Sequence, residues 1–245
     1  MIENYKFKFR SRGKIIYVPN ERCERKGRRI IQFFARRLDF PDYFYHYKSG
    51  GHVAALHAHL VNEFFFRVDI QNFYYSIARM RVTRALRSWR YPGANTIAKW
   101  SCVANPLPGP WHVLPIGFVQ SPLLASLVLL KSPVARAIER AIASGVHVSV
   151  YLDDLIGSHD EVAVLEAAYN EIRESCVAAE LIPNPAKLLP PRRAITAFNC
   201  DLRRGAVEVT DARVEKFFST PKSAEAIAAF QAYRNRVASR NLQQP

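Results

Sequence analysis

The chain has 245 residues, 49% of them hydrophobic, and carries 35 Lys and Arg against 21 Asp and Glu, for a formal net charge of +14. That length and apolar content allow one large domain or two small ones with a buried core. They exclude a disordered chain, which lacks the apolar surface to offset the entropy of ordering. No uninterrupted apolar run reaches the ~18–20 residues that span a bilayer; the longest, Leu123 to Leu130, contains Ser126 and stops at Lys131, so no membrane partner is expected.

The opening MIENYKFKFR has no apolar stretch of the kind a secretory signal needs. Cys23, Cys102, Cys176 and Cys200 form no C-x-x-C pair, which argues against a zinc ribbon or a thioredoxin-type motif. Reduced, buried thiols in a cytoplasmic protein are the expectation. Residues 1–37 hold twelve Lys and Arg against Glu3, Glu21 and Glu24, leaving +9 of the total. Clustered cations release condensed counterions when they meet a polyanion, so a nucleic-acid partner is expected; a solvated basic face is the plainer alternative.

In chain order, residues 14–19 (KIIYVP) predict a strand closed by Pro19. Glu24 to Leu38 predicts a helix, with Ile30, Phe33, Phe34 and Leu38 on one face and arginine pairs on the other. Turns follow at Pro41 and Gly50-Gly51, then 64–70 (FFFRVDI) predicts a buried strand. Arg81, Arg84, Arg87 and Arg90 recur every three residues, a slowly winding basic stripe on a helix. Residues 91–115, with five prolines, predict an extended connection. Ser121-Pro122 predicts an N-cap and first helical proline, Ser132-Pro133 a restart, and Gly145 a stop. Residues 146–152 and 155–158 predict a hairpin, Glu161 to Leu181 an amphipathic helix, 194–202 and 206–210 short strands, and the region from Ala224 a last helix. Strands returning through hairpins as well as helices predict an α+β fold rather than a doubly wound one.

The chemistry concentrates at Tyr151-Leu152-Asp153-Asp154. Adjacent carboxylates at the end of an apolar strand repel unless a cation neutralises them, although Asp is also a common turn residue. Asp69 likewise ends an apolar strand, where a lone Asp is usually a helix cap. Two such strands side by side would offer three carboxylates, the hard oxygen donors that Mg²⁺ prefers. A third element, Leu114-Pro115-Ile116-Gly117 running to Ser121-Pro122, is a glycine loop entering a helix, without the pattern of a phosphate loop. His52, His57 and His59 lack Cys or carboxylate companions and do not predict zinc.

The ordered set D-I-x-N-F-Y-x-S-I, L-P-x-G-x-x-x-S-P-x-L and Y-x-D-D resembles motifs A, B and C of reverse transcriptases. Asn184-x-x-Lys187 resembles motif D, and Phe198 to Leu202 lies where motif E belongs. GKIIYVPN and 47–60 (YKSGGHVAALHAHL) are similar to the fingers of bacterial retron-like and group II intron-like enzymes, with antiphage-defence and abortive-infection reverse transcriptases the most similar subgroup. The match covers roughly residues 10–202.

The resemblance implies a right-hand polymerase: fingers over 1–63 with further elements around 91–115, a palm with an antiparallel sheet over 64–202, and a short or vestigial thumb over 203–245. It implies RNA-directed DNA polymerisation from dNTPs, with an RNA template, a DNA product, and two Mg²⁺ ions for which Mn²⁺ can substitute. Asp69, Asp153 and Asp154 become the metal ligands and Lys187 a proton donor to pyrophosphate. Lys14, Ile70, Phe73, Tyr74, Ile116, Gly117 and Ser121 become nucleotide-binding. Arg10, Arg12, Arg28, Arg29, Arg81 and Arg84 become nucleic-acid-binding.

In this scheme Tyr74 screens the sugar by clashing with a 2′-hydroxyl; packing beside Phe73 and Tyr75 is its plainer role. The chain departs from the pattern where Ile116 stands for the usual Gln and Ser126 for a frequent Asn. About 43 residues follow motif E, from which grip on the duplex is expected to come from a structured RNA or a partner protein. A template-independent or protein-primed transferase, with Tyr43, Tyr45 or Tyr47 as priming hydroxyl, and a silent RNA-binding scaffold are the alternatives.

Overall fold

The computed structural model describes residues 3–242. Tyr5–Ser11 (β1) and Lys14–Pro19 (β2) form an antiparallel hairpin turning at Arg12-Gly13. β2 is the strand predicted, while β1 adds a ribbon whose Lys6, Lys8 and Arg10 alternate with Phe7 and Phe9. Helix α1 (Glu21–Ala35) begins before the predicted Glu24 because the Asn20 side chain accepts the Cys23 amide at 2.9 Å, capping the first turn. Gly51–Ala58 (α2) precedes Phe64–Asp69 (β3), and Phe73–Ser76 (α3) and Arg79–Ser88 (α4) follow it.

Residues 91–115 depart from the extended connection expected. Ala94–Ser101 forms α5, and Val103–Ala104 (β4) pairs with His112–Val113 (β5). The prolines lie to either side of 94–101, so the helix loses no amide and buries Ala98 and Trp100. Helix α6 (Ser121–Leu130) starts one residue earlier than predicted: Gln120 is the cap position, and Ser121 is already helical with its hydroxyl buried and unpartnered.

Pro133–Ala143 (α7), the hairpin His147–Tyr151 (β6) and Asp154–His159 (β7), and Val162–Ala178 (α8) follow the predicted order. Leu189–Arg192 (β8) is not among the expected strands, and it contains Pro190 and Pro191. An edge strand tolerates prolines because its outer amides need no partner, and β8 is an edge. Ala194–Ala197 (β9), Cys200–Arg203 (β10) and Ala206–Val209 (β11) precede two helices, Asp211–Phe218 (α9) and Ala224–Ala238 (α10). The fold is α+β with antiparallel sheets. Among the described residues no single helix is long and apolar enough to cross a membrane.

The chain divides into two compact units. The first comprises residues up to 40, 70–136 and 175–182. Its core joins Tyr17, Cys23, Trp100, Val103 and Phe118, and α6 is buried along nearly its whole length. The second comprises 41–69, 137–174 and 183 onward, with a four-stranded sheet ordered β6-β7-β3-β8 and a three-stranded sheet β11-β10-β9. Phe65, Ile156, Ile195, Leu202 and Val207 fill its core with Val53, Leu56 and Leu60.

Phe66 stands opposite Gly157 across β3 and β7, where a Cβ would lie 2.2 Å from the Phe66 ring. Burying that ring fully is worth about 1.5–3 kcal/mol, and only glycine leaves room for it. All four cysteines are buried free thiols. His59 is fully buried between Ser158 Oγ (2.7 Å) and Ser149 Oγ (2.8 Å). His52 and His57 reach Tyr233 and the Val237 carbonyl, so the three rings serve different partners.

Candidate active site

The second unit builds an acidic centre from strand register. Phe65, Arg67 and Asp69 share one face of β3, because side chains alternate along a strand. Asp154, the first residue of β7, is registered directly against Asp69. Tyr151 also pairs with Asp154, so Leu152 and Asp153 form a two-residue hairpin turn. Leu152 sits at φ 58, a left-handed conformation costing a branched residue about 1–3 kcal/mol. Its amide donates to His46 Nδ1 at 3.4 Å, which helps hold that shape.

Two directly opposed carboxylates in a sheet repel each other, and Arg67 answers that repulsion. Its Nε donates to Asp154 Oδ1 at 2.7 Å, its Nη2 lies 2.6 Å from the same oxygen and 3.7 Å from Asp69 Oδ1. Nη1 donates to the Thr196 carbonyl at 3.0 Å, anchoring the guanidinium to β9.

Asp69, 2% exposed, has two further partners. The Asn184 amide donates to its carbonyl at 2.8 Å, Asn184 Nδ2 to Oδ2 at 3.3 Å, and Lys187 Nζ to Oδ1 at 2.8 Å. Pro185–Lys187 is a 3₁₀ turn capped by Asn184 Oδ1, which sets Lys187 on the carboxylate. Burial raises the Asp154 carboxyl to about 6 despite Arg67, with Asp153 and Asp69 adding to the rise.

Among the described residues no three His, Cys, Asp or Glu side chains form a metal cage. Mg²⁺ does not demand one, since it is commonly held by one or two carboxylates together with substrate phosphates. Asp69 and Asp154 fit that requirement: they are hard oxygen donors on adjacent strands, and their charge needs cationic compensation, supplied by Arg67 and Lys187.

The first unit holds the residues expected at the nucleotide. Tyr17 N donates to Ile116 O at 2.9 Å, laying β2 along the Leu114–Gly117 segment. Gly117 is at φ 109, and a Cβ there would stand 2.3 Å from the Tyr17 carbonyl, so this approach requires glycine. The Tyr75 hydroxyl donates to Ile15 O at 2.8 Å, bringing the turn after Asp69 to the same strand. Lys14 and Gly117 are exposed and Tyr74 half-buried, whereas Ile70, Phe73 and Ser121 are buried. Arg10, Arg12, Arg28, Arg29 and Arg84 are exposed; Arg28 pairs with Glu24 and Arg81 is half-buried.

Arg67 is not among the residues expected from the sequence, although R-V-D spacing places it on the Asp69 face of any strand. Neither is Gln120, buried with its Nε2 donating to Ser101 Oγ at 3.3 Å.

A mixed α+β chain with opposed acidic strand ends and a two-residue Y-x-D-D turn has the layout of a right-hand polymerase palm. A reverse transcriptase (RNA-dependent DNA polymerase) family profile matches residues 24–189, and the chain belongs to that family. No curated protein sequence matches it. Among solved structures, it is similar to a foamy viral protease–reverse transcriptase in complex with double-stranded DNA, at 15% identity and a TM-score of 0.51, covering 92% of this chain and 34% of that one. The foamy viral enzyme in complex with an RNA/DNA hybrid matches at 15% identity and 0.46, covering 74% and 22%. The first likeness is one of fold, and the chain spans about a third of the length of that relative.

Proposed function

We propose that this chain copies RNA into DNA, adding dNTPs to a primer 3′-hydroxyl with two Mg²⁺ ions at Asp69, Asp153 and Asp154. The observation that carries this reading is the registered Asp69–Asp154 pair beside a strained two-residue turn. When bound, the ions supply Lewis-acid activation of the hydroxyl and charge neutralisation on the triphosphate.

The chain's own residues do the rest. The sheet register holds Asp69 and Asp154 together, and the Leu152–Asp153 turn presents the third carboxylate. Lys187, anchored on Asp69, carries a proton toward the departing pyrophosphate. Tyr74 is the bulk that screens the ribose, and Gly117 lets main chain stand where a side chain would intrude. Lys14 and the exposed arginines of the first unit contribute cationic contacts to triphosphate and backbone. Residues up to 63 serve as fingers, 64–202 as palm and the closing helices as a short thumb. Membership of a bacterial defence or retroelement-like system is part of the same proposal and rests on the motif resemblance alone.

The test is incorporation of labelled dNTPs on an RNA template annealed to a DNA primer, with Mg²⁺. Template-dependent extension is expected, with Asp69→Asn and Asp154→Asn each losing at least about 10²-fold. Equal incorporation without template, or by the Asn variants, overturns the reading.

A further inference from the structure

The first unit contains a cavity of about 480 Å³ whose lining takes no part in the metal-centred chemistry proposed above. Helix α4 supplies Arg81 and Arg84 to its wall, the link between α6 and α7 supplies Lys131 and Ser132, and the turn after α8 supplies Glu180. Three cations face one acid there, a local excess of two positive charges.

The cations are poorly matched by the protein itself. Arg81 Nη1 is buried and has no hydrogen-bond partner. No ion pair within 4 Å joins Arg81, Arg84 or Lys131 to any described acid, Glu180 included. Burial pulls the Arg81 guanidinium below its usual range, with Glu180 opposing that pull and Arg84 adding to it. A buried guanidinium donor left without an acceptor costs stability unless an acceptor arrives.

Lys131 is not a loose surface lysine. Its ammonium lies 5.3 Å from the Trp89 ring centroid, a cation–π contact that restrains it at the cavity mouth. The closing turns of α8 present few competing acceptors, because the Ser175, Cys176 and Val177 carbonyls already accept from the Ala179, Leu181 and Glu180 amides.

We propose that this cavity is a phosphate-binding site in which Arg81, Arg84 and Lys131 together hold one phosphate group. Arginine's planar fork suits tetrahedral oxyanions, and lysine adds a point charge. The phosphate belongs either to a free phosphorylated molecule or to a nucleic-acid backbone; the recognition chemistry is the same.

The test is calorimetric titration of the full chain with inorganic phosphate at constant ionic strength, with chloride as control. Saturable binding is expected in the wild type and in Asp69→Asn, and at least about tenfold weaker binding, ~1.4 kcal/mol, in the exposed-residue double variant Arg84→Gln/Lys131→Gln. Arg81→Gln, with folding checked by circular dichroism, is expected to lose more. Displacement of phosphate by an oligothymidylate assigns the site to backbone phosphate, and failure to displace assigns it to a free phosphorylated molecule; either supports the site. Absence of binding, or equal binding in the double variant, overturns it. The readout involves no catalysis, so failure here leaves the polymerase reading standing, and an inactive polymerase leaves this site standing.

Discussion

Arg67 is the residue on which the acidic centre turns. It neutralises two carboxylates that the sheet register forces together, and removing it leaves Asp154 without its cation and Asp69 with Lys187 alone. Arg67→Gln is expected to destabilise the metal-free protein by about 3–5 kcal/mol, the usual consequence of breaking a buried ion pair, measured by urea denaturation in EDTA. Mg²⁺ is then expected to raise the melting temperature of Arg67→Gln more than that of the wild type, since a cation entering the wild-type site competes with the guanidinium. Equal Mg²⁺ shifts would show that Arg67 and the metal do not share the carboxylates.

The three aspartates stand out in the sequence because Asp69 closes one apolar strand and Asp153-Asp154 directly follow another, a pattern that packing alone does not favour. Arg67 was legible only once the partner strand was known: its value lies in reaching Asp154, 87 residues away. The anchoring of Lys187 on Asp69, 118 residues apart, has no trace in local spacing.

At the scale of elements, two glycines hold strands and loops at distances no other residue permits. Gly157→Ala is expected to drive a methyl into the Phe66 ring and cost about 1–3 kcal/mol, read as a lowered denaturation midpoint with an unchanged slope. Gly117→Ala meets backbone rather than a side chain, and its φ of 109 adds strain, so the larger loss is expected there. A result in which Gly157→Ala is the more damaging would contradict this ranking.

The hairpin, most helices and the strand before Asp69 were legible because periodicity and turn residues agreed. The α5 helix was hidden by prolines that flank it without entering it. The β8 strand was hidden because two prolines look like a break until the strand is known to be an edge. For α9, Thr210 caps the Arg213 amide, a local signal present in the sequence but overshadowed by the short strands before it.

For the whole molecule, histidine burial sets the response to acid. Burial lowers His46 to about 4, His59 well below its ordinary value, and His52 and His147 in the same direction. Well above pH 6.5 all four are neutral whether folded or unfolded, and contribute no pH dependence. Below it the unfolded chain takes up protons that the native state refuses, so stability falls until pH passes the native values. His46 alone is worth up to about 3 kcal/mol across that window. Asp154 works in the opposite sense: its raised native value, about 6, means that it gains stability as pH falls from 6 toward 4. Four groups against one predict a net loss from pH 6.5 to 4, checked by denaturation midpoints across that range. A flat profile would show that the buried His59–Ser158–Ser149 network opens to solvent.

The placement of β8 beside β3 has a consequence for how the protein is made. Because Arg67 is registered with Leu189, the sheet bearing Asp69 cannot close while the ribosome has yet to deliver that edge. Asp69 and its strand must wait through most of translation with their apolar flank uncovered, a stretch in which sequence-distant pairing is slow and exposed strands are prone to aggregate. Asp69, one of the proposed metal-binding carboxylates, is among the earlier parts of the centre to be synthesised and among the last to be sealed, which makes low temperature the natural condition for producing this chain in folded form.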